Sequence, residues 1–537
     1  MKNTLSILLA SLMTATAVAQ TPGDTINRMV LVESTYNPII AGAVKRNFIP
    51  EEVKPSMGKE DVVYADESVA LPRLEHQTQP VELVALAPSP SMPGYAHLGY
   101  GNYNNLAAMA AYKLCWGEHD LALKGHLDGW NGNLKLADGD KWRSHLYDMA
   151  IGADYDVAFA RATLNVGLDA AHYRYNYLGA AACNQKSSHL SAHVGVKGMV
   201  KEHYFYQANL AYSYFDRYAH LGNIHPHREN RVRSEVAVGM DLYEWGRASV
   251  AVQSDLLAYH GLPDYRALHS LELTPRWELQ RGALHVVSGL NMSFLTGRHA
   301  EHPLQLSPEC SVSYVPAERF SLHLQLDGGR DMHSFASLYE LSPYWMAHEQ
   351  VMPTYTFVNA HLSGNMRLVE GLHLHLGGGY KVLSDALFST RVDTLGVTYT
   401  GVANHNAQVL AADAGVSYDY KDLLSLSAKG EYQHWMLKGD RALLARAPQF
   451  AMDVEARVRI ITNLHAYTTL QWVSFTDANV ADRERAIVNW SLGAHYALNK
   501  RCTLFCDAHN LLNRRHSYYA GYPSQGFNVL MGAMVNF

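Results

Sequence analysis

The sequence predicts an all-β fold, a transmembrane antiparallel β-barrel of about 22 strands. Three observations predict it. Beyond Pro93 the chain falls into segments of about 9 to 18 residues that alternate between apolar and polar positions. The polar faces are rich in small and charged residues, as in Arg231, Arg233, Glu235, Gly239 and Asp241, or Ser425, Ser427, Lys429, Glu431 and Gln433. The chain ends inside such a segment, with Phe537 last.

The N-terminus is read first and set aside. Lys2 supplies a basic n-region, Leu5 to Ala15 an apolar h-region, and Ala17-Val18-Ala19 a small-residue cleavage site before Gln20. Residues 1–19 therefore read as a secretory signal peptide. A membrane anchor would need a longer apolar run. A lipoprotein would carry cysteine in place of Gln20.

Residues 20–92 have a different texture. Nine of the 19 prolines lie from Pro22 to Pro93, and the charge run Glu51-Glu52-Val53-Lys54 falls among them. Neither alternation nor helical periodicity is sustained. This segment reads as a Pro-rich extended arm, periplasmic or lumenal, and the alternative is a disordered linker.

Residues 93–537 are the barrel. In the last strand Phe527, Val529, Met531, Ala533, Val535 and Phe537 share one face, and Asn528, Leu530, Gly532, Met534 and Asn536 share the other. Ala486 to Leu498 and Tyr147 to Asp156 repeat the pattern, as a period of two requires of a strand. Tyr is common at 33 residues against 14 Phe. Its apolar ring and polar tip suit a membrane–water interface. Tyr173, Tyr175 and Tyr177, and Tyr204, Tyr206, Tyr212 and Tyr214, are expected in aromatic girdles. In lipid an open sheet edge costs several kcal/mol per unpaired backbone group, so the strands must close. Ala158-Phe159-Ala160, Lys201-Glu202 and Gly246-Arg247 are expected as short periplasmic turns. His220 to Asn230, Asp440 to Gln449 and Tyr344 to Thr354 are expected as extracellular loops. The net charge of -6 gives no sign of a nucleic-acid partner.

The C-terminal residues Asn510-Leu511-Leu512-Asn513, Tyr518-Tyr519, Gly521-Tyr522-Pro523, Gly526-Phe527 and Phe537 resemble the closing strands of TonB-dependent receptors. The resemblance covers Asp507 to Phe537. It implies a 22-stranded barrel in the outer membrane, surrounded by lipid, that imports a scarce nutrient. The Pro-rich arm and the Tyr- and Gly-rich stretch Tyr95 to Tyr103 resemble plug-poor, receptor-like barrels of Bacteroidetes. The chain departs from the receptor pattern because residues 20–92 do not read as a complete plug domain. Met29-Val30-Leu31-Val32, after Asp24-Thr25, is a candidate TonB box, a partner-binding segment that would pair by strand addition with TonB or another envelope protein.

Chemistry is sparse in the pattern. The five cysteines, Cys115, Cys183, Cys310, Cys502 and Cys506, form neither a disulfide framework nor a zinc motif. Cys502 and Cys506 are too far apart along one strand to bridge. Among 29 histidines, His225 and His227 are the first metal candidates, and His373 and His375 share a strand face. No local set supplies three or four ligands, and no cofactor is expected. There is no G-x-S-x-G elbow, and no enzyme is expected. Asp154, Arg231, Lys429 and Glu431 point to a selectivity field inside a pore, or to ion pairing across a wet lumen. Two function classes follow: transport of a small solute or nutrient across the outer membrane, or an accessory, non-transporting barrel of an envelope assembly or secretion complex.

Overall fold

The computed structural model describes residues 93–537 except 137–138, 180–183, 202, 219–225, 298–302, 348, 395, 439–440, 477–485 and 520. The leader, the arm, Met29-Val30-Leu31-Val32 and His225 lie outside the described residues. The first strands are β1 Gly94–Gly101, β2 Leu106–Trp116, β3 His119–Lys135, β4 Lys141–Ala158, β5 Ala162–Asn176, β6 Leu178–Gly179, β7 Asn184–Val200, β8 Tyr204–Tyr218, β9 His227–Asp241, β10 Arg247–His260, β11 Leu268–Arg281 and β12 Leu284–Thr296. They continue as β13 Leu304–Ala317, β14 Phe320–Asp331, β15 Thr354–Val369, β16 Leu372–Thr394, β17 Val397–Tyr420, β18 Leu424–Leu437, β19 Pro448–Ile461, β20 Leu464–Phe475, β21 Ala486–Ala497, β22 Cys502–His509 and β23 Asn528–Asn536. Among the described residues one short α-helix, α1 Phe335–Leu341, lies between β14 and β15.

Each strand pairs antiparallel with its neighbour, and all but β6 close into a 22-strand barrel. The seam joins β1 to β23 from Tyr95↔Asn536 to Gly101↔Leu530. Two glycines face each other there, Gly99 and Gly532. A Cβ on either would stand 2.9 Å or 2.6 Å from the ring of Phe505, which packs over the seam. That ring stacks on His97 at 4.6 Å, and with Ala107, Leu530 and Met534 it makes a small dry patch on the inner wall.

The two faces sort as the alternation requires. Leu98, Leu123, Ile151, Leu168, Val236, Leu376, Leu410 and Met531 are exposed on the outer face, an apolar belt suited to lipid. Lys124, Asp154, Asp169, Glu235 and Asp413 alternate with such residues and face the lumen. A closed barrel with such a belt is the form in which β-strands span a membrane.

The ends are unequal. At one end the connections are short, including the two-residue turns Gly117-Glu118 and Gly282-Ala283. Gly117 and Gly282 take φ of 60° and 58° there, the left-handed conformation that tight hairpins need at their first turn position. At the other end most connections are longer, which marks it as extracellular. Ala158-Phe159-Ala160 and Gly246-Arg247 fall at the short-turn end, as does Lys201; Glu202 is outside the described residues. Exposed Tyr243 and Trp245 sit at the same end, where aromatic side chains suit a membrane–water interface.

Three expectations need adjustment. Strand β9 begins at His227 and β19 at Pro448, so the loops before them end earlier in the chain than the sequence suggests. The loop over Tyr344 to Thr354 is present, but it is preceded by α1, which is too short to leave a periodicity. Tyr204 and Tyr212 are exposed on the outer face, whereas Tyr175 and Tyr177 are buried at 0% and 1%. These last two serve the extracellular connections and not a girdle.

Candidate functional site

Strands β16 and β17 are the longest, at 23 and 24 residues. A tilted strand needs only about 9–11 residues to cross a membrane, so this hairpin extends well past the extracellular rim. Its register shifts between Leu383 and Ala386, and Asp385 takes a φ of 56°. A bulge of this kind bends a hairpin. The bend is held by the Asp385 carbonyl, which accepts from Thr354 Oγ1 at 2.8 Å and Asn404 Nδ2 at 2.7 Å.

Beyond the bend the hairpin tip meets β6, with Val397↔Gly179 and Thr398↔Leu178 in register. Strand β17 is the tenth barrel strand after β7. The pairing therefore joins nearly opposite sides of the rim. The β14–β15 connection lies beneath it. Trp345 bridges Thr400, and Asn404 clamps Met352 by donating to its carbonyl and accepting from its N–H. Helix α1 is capped by Ser334, and its first N–H, from Phe335, donates to the buried Glu229 carboxylate at 3.0 Å.

These connections bury one aromatic cluster. It takes Trp130 and Trp142 from β3 and β4, Tyr175 and Tyr177, Phe215 from β8, Phe335 and Tyr339 from α1, Tyr344 and Trp345, Tyr399, and Tyr519 and Tyr522 from the β22–β23 connection. Its elements come from around the rim, so the cluster forms a cap across the extracellular mouth. Arg217 sits within it at 1% exposure. Its guanidinium lies 5.4 Å, 5.8 Å and 5.5 Å from the ring centres of Tyr175, Tyr177 and Trp345. It donates to the Tyr177 hydroxyl and to the Pro343 carbonyl at 3.5 Å. No carboxylate among the described residues pairs with it, and its Nη1 has no hydrogen-bond partner there. Burying such a charge costs several kcal/mol. The ring faces return about 2 kcal/mol each or somewhat more when desolvated, and they supply no opposite charge.

Below the cap the lumen wall is polar. Of the residues singled out from sequence, Asp154 pairs with Lys124 at 3.0 Å, and Arg231 makes a two-pronged contact with Asp255 at 3.0 Å and 2.6 Å. Lys429 stands opposite Asp453 in the β18–β19 register, and Glu431 opposite Asp413 in the β17–β18 register. Lys429 also lines a cleft of about 260 Å³ near the short-turn end, with Asn365, Arg367, His373, His375 and Ser417. His375 and His361 both donate to Asp413, at 2.6 Å and 2.9 Å. His227 is in the cap, edge-on to Phe335 and Trp345 at 5.2 Å and 6.0 Å, where its ring packs among aromatic groups.

The sequence reading named Tyr175 and Tyr177 for a girdle and Tyr519 and Tyr522 among the closing residues without gathering them into a cap; it did not single out Arg217, nor join Asp154 to Asp169 and His193. Aromatic residues concentrated in connections, as at Tyr344-Trp345 and Tyr518-Tyr519, were the available sign of the cap. Nothing local marks the other two.

No protein-family model matches the chain, and no curated protein matches it. Solved structures do. The apoprotein form of the FrpB iron transporter from Neisseria meningitidis aligns with a TM-score of 0.66 and 11% identity, over 84% of this chain and 82% of that one. The copper transporter OprC aligns at 0.63 and 12%, over 83% and 80%. A ferric enterobactin receptor variant from Pseudomonas aeruginosa, PfeA in complex with enterobactin, aligns at 0.62 and 12%, over 83% and 81%. At such identities the likeness concerns the fold, and in fold the chain is a TonB-dependent receptor-like barrel.

Proposed function

We propose that this barrel takes a small solute across the outer membrane, with the aromatic cap as its extracellular binding and gating element. The observation that carries the reading is Arg217, a buried cation without a counter-ion among the described residues, inside a cap built from connections around the rim. A solute with an anionic group would supply the missing charge, and the surrounding rings suit an apolar or aromatic body. The named neighbours, transporters of iron and copper and a receptor for ferric enterobactin, support the class of function and not a particular cargo. TonB coupling through Met29-Val30-Leu31-Val32 belongs to the same proposal.

The experiment is solute flux into liposomes carrying the purified chain, with the β14–β15 connection intact or with residues 335–350 replaced by a short Gly-Ser link. Restricted flux in the intact form and free flux in the shortened one supports a gated path. Equal flux in both contradicts it. A second reading, a non-transporting accessory barrel, draws on the same cap, since a scaffold must not leak. It predicts that cells expressing an Arg217→Met chain lose no solute uptake.

A further inference from the structure

On the lumen wall, strands β4, β5 and β7 carry two adjacent rows with a glycine in the middle of each. In one row Asp154, Gly167 and His193 are register partners; in the next, Gly152 partners Asp169 and, on β3, Lys124. The missing side chain at Gly167 leaves a hollow into which its neighbours lean. A Cβ there would stand 2.0 Å from His193 Cε1 and 2.7 Å from both His193 Nδ1 and Asp154 Oδ1. One ligand atom each from Asp154, Asp169 and His193 lies within 4.8 Å of the others.

The imidazole is set up for one role. Asn165 donates its amide to Asp156 at 2.9 Å, which turns Asn165 Oδ1 toward His193 Nε2 at 2.7 Å. His193 therefore carries its proton on Nε2, and Nδ1 keeps its lone pair on the side of Asp154. Outer hydrogen bonds of this kind orient metal-binding histidines. Lys124 reaches both carboxylates, at 3.0 Å to Asp154 and 3.1 Å to Asp169. It balances one of their two charges and is itself exposed enough to swing away.

We infer that Asp154, Asp169 and His193 form a divalent transition-metal site on the lumen wall, which the ammonium of Lys124 occupies until a cation displaces it. One imidazole nitrogen with two carboxylate oxygens suits zinc, iron, cobalt or manganese better than calcium or magnesium. The inference goes beyond the transport reading, which rests on the cap, and each can fail without the other.

The test titrates Co²⁺ into the untagged full chain in metal-free detergent, reads the visible d–d absorption, and then competes with Zn²⁺. The wild type is expected to bind cobalt with a spectrum that includes a nitrogen ligand. His193→Ala and Gly167→Ala should each weaken binding about a hundredfold, and Asn165→Ala about tenfold. Lys124→Met should tighten it about tenfold or more, because the competing ammonium is gone. Each variant is first checked for the heat-modifiable gel mobility of a folded barrel. Binding that is unchanged by both His193→Ala and Gly167→Ala in folded protein overturns the inference. So does absence of binding in the wild type, including the case where Lys124→Met alone binds, since lysine then holds the site permanently.

Discussion

The ring of Tyr344 lies flat on that of Tyr522, with centroids 3.6 Å apart and planes inclined by 8°. Tyr344 belongs to the β14–β15 connection and Tyr522 to the β22–β23 connection, so this one stack ties together loops from separate parts of the rim. Tyr522 extends the tie. Its hydroxyl donates to the Thr398 carbonyl and accepts from the Leu178 N–H at 3.3 Å. One side chain thus touches three of the elements that make the cap.

Tyr522→Ala is expected to loosen the cap while the barrel remains folded. Removing a buried aromatic side chain costs about 3–5 kcal/mol, and the lost ring pair adds about 0.5–1.5 kcal/mol. The check is hydrogen exchange of residues 342–352 and 396–400, which should speed up, against unchanged gel mobility of the barrel. Tyr522→Phe keeps the stack and should lie much closer to the wild type.

Arg217 separates stability from recognition. Arg217→Met removes a buried charge and keeps the volume, so the cap should dock as well as before or better. Arg217→Ala leaves a void and should dock less well by about 2 kcal/mol or more. Under the transport proposal both variants lose uptake of an anionic solute, whatever their effect on docking. Protease nicking of the connections reads the first quantity, and uptake into cells the second.

The cap should weaken in acid. His516, in the β22–β23 connection, is lowered to a pKa of about 4 by burial and by the nearby Arg514. An exposed histidine titrates near about 6.5. Below that value the undocked loop takes up a proton that the docked loop refuses, so docking is fully present above pH 6.5 and declines as the pH falls towards 4. The loss is on the order of 1–3 kcal/mol. Hydrogen exchange of residues 510–519 and 521–527 at pH 7 and pH 4.5 tests this. His516→Gln should flatten the difference.

Much of the barrel was legible in the sequence, because its causes are local. Outward Met531 and Val535 against inward Leu530 and Met534 follow from a period of two, and turns such as Gly246-Arg247 follow from backbone sterics. The cap was not legible. Leu178 meets Tyr522 across 344 residues of chain, and only the closure of the barrel and the bulge at Asp385 bring them together. Tyr175 and Tyr177 look from sequence like interface residues, because burial in a cap and seating in a membrane girdle select the same side chain. The lumen group was hidden for a related reason. Asp154 reads from sequence only as one lumen charge among several, and Asp169 and His193 stand out only once the strand register sets Gly167 between Asp154 and His193.

A crosslink between Leu178→Cys and Thr398→Cys, partners in the β6–β17 register, tests the central claim most directly. It would be introduced into a chain whose five native cysteines are replaced by serine. Single-channel recording in planar bilayers then compares the oxidised and reduced protein. If the cap gates the lumen, the oxidised form is silent and reduction restores intermittent openings. Openings of the same size and frequency in the fully crosslinked form would contradict it.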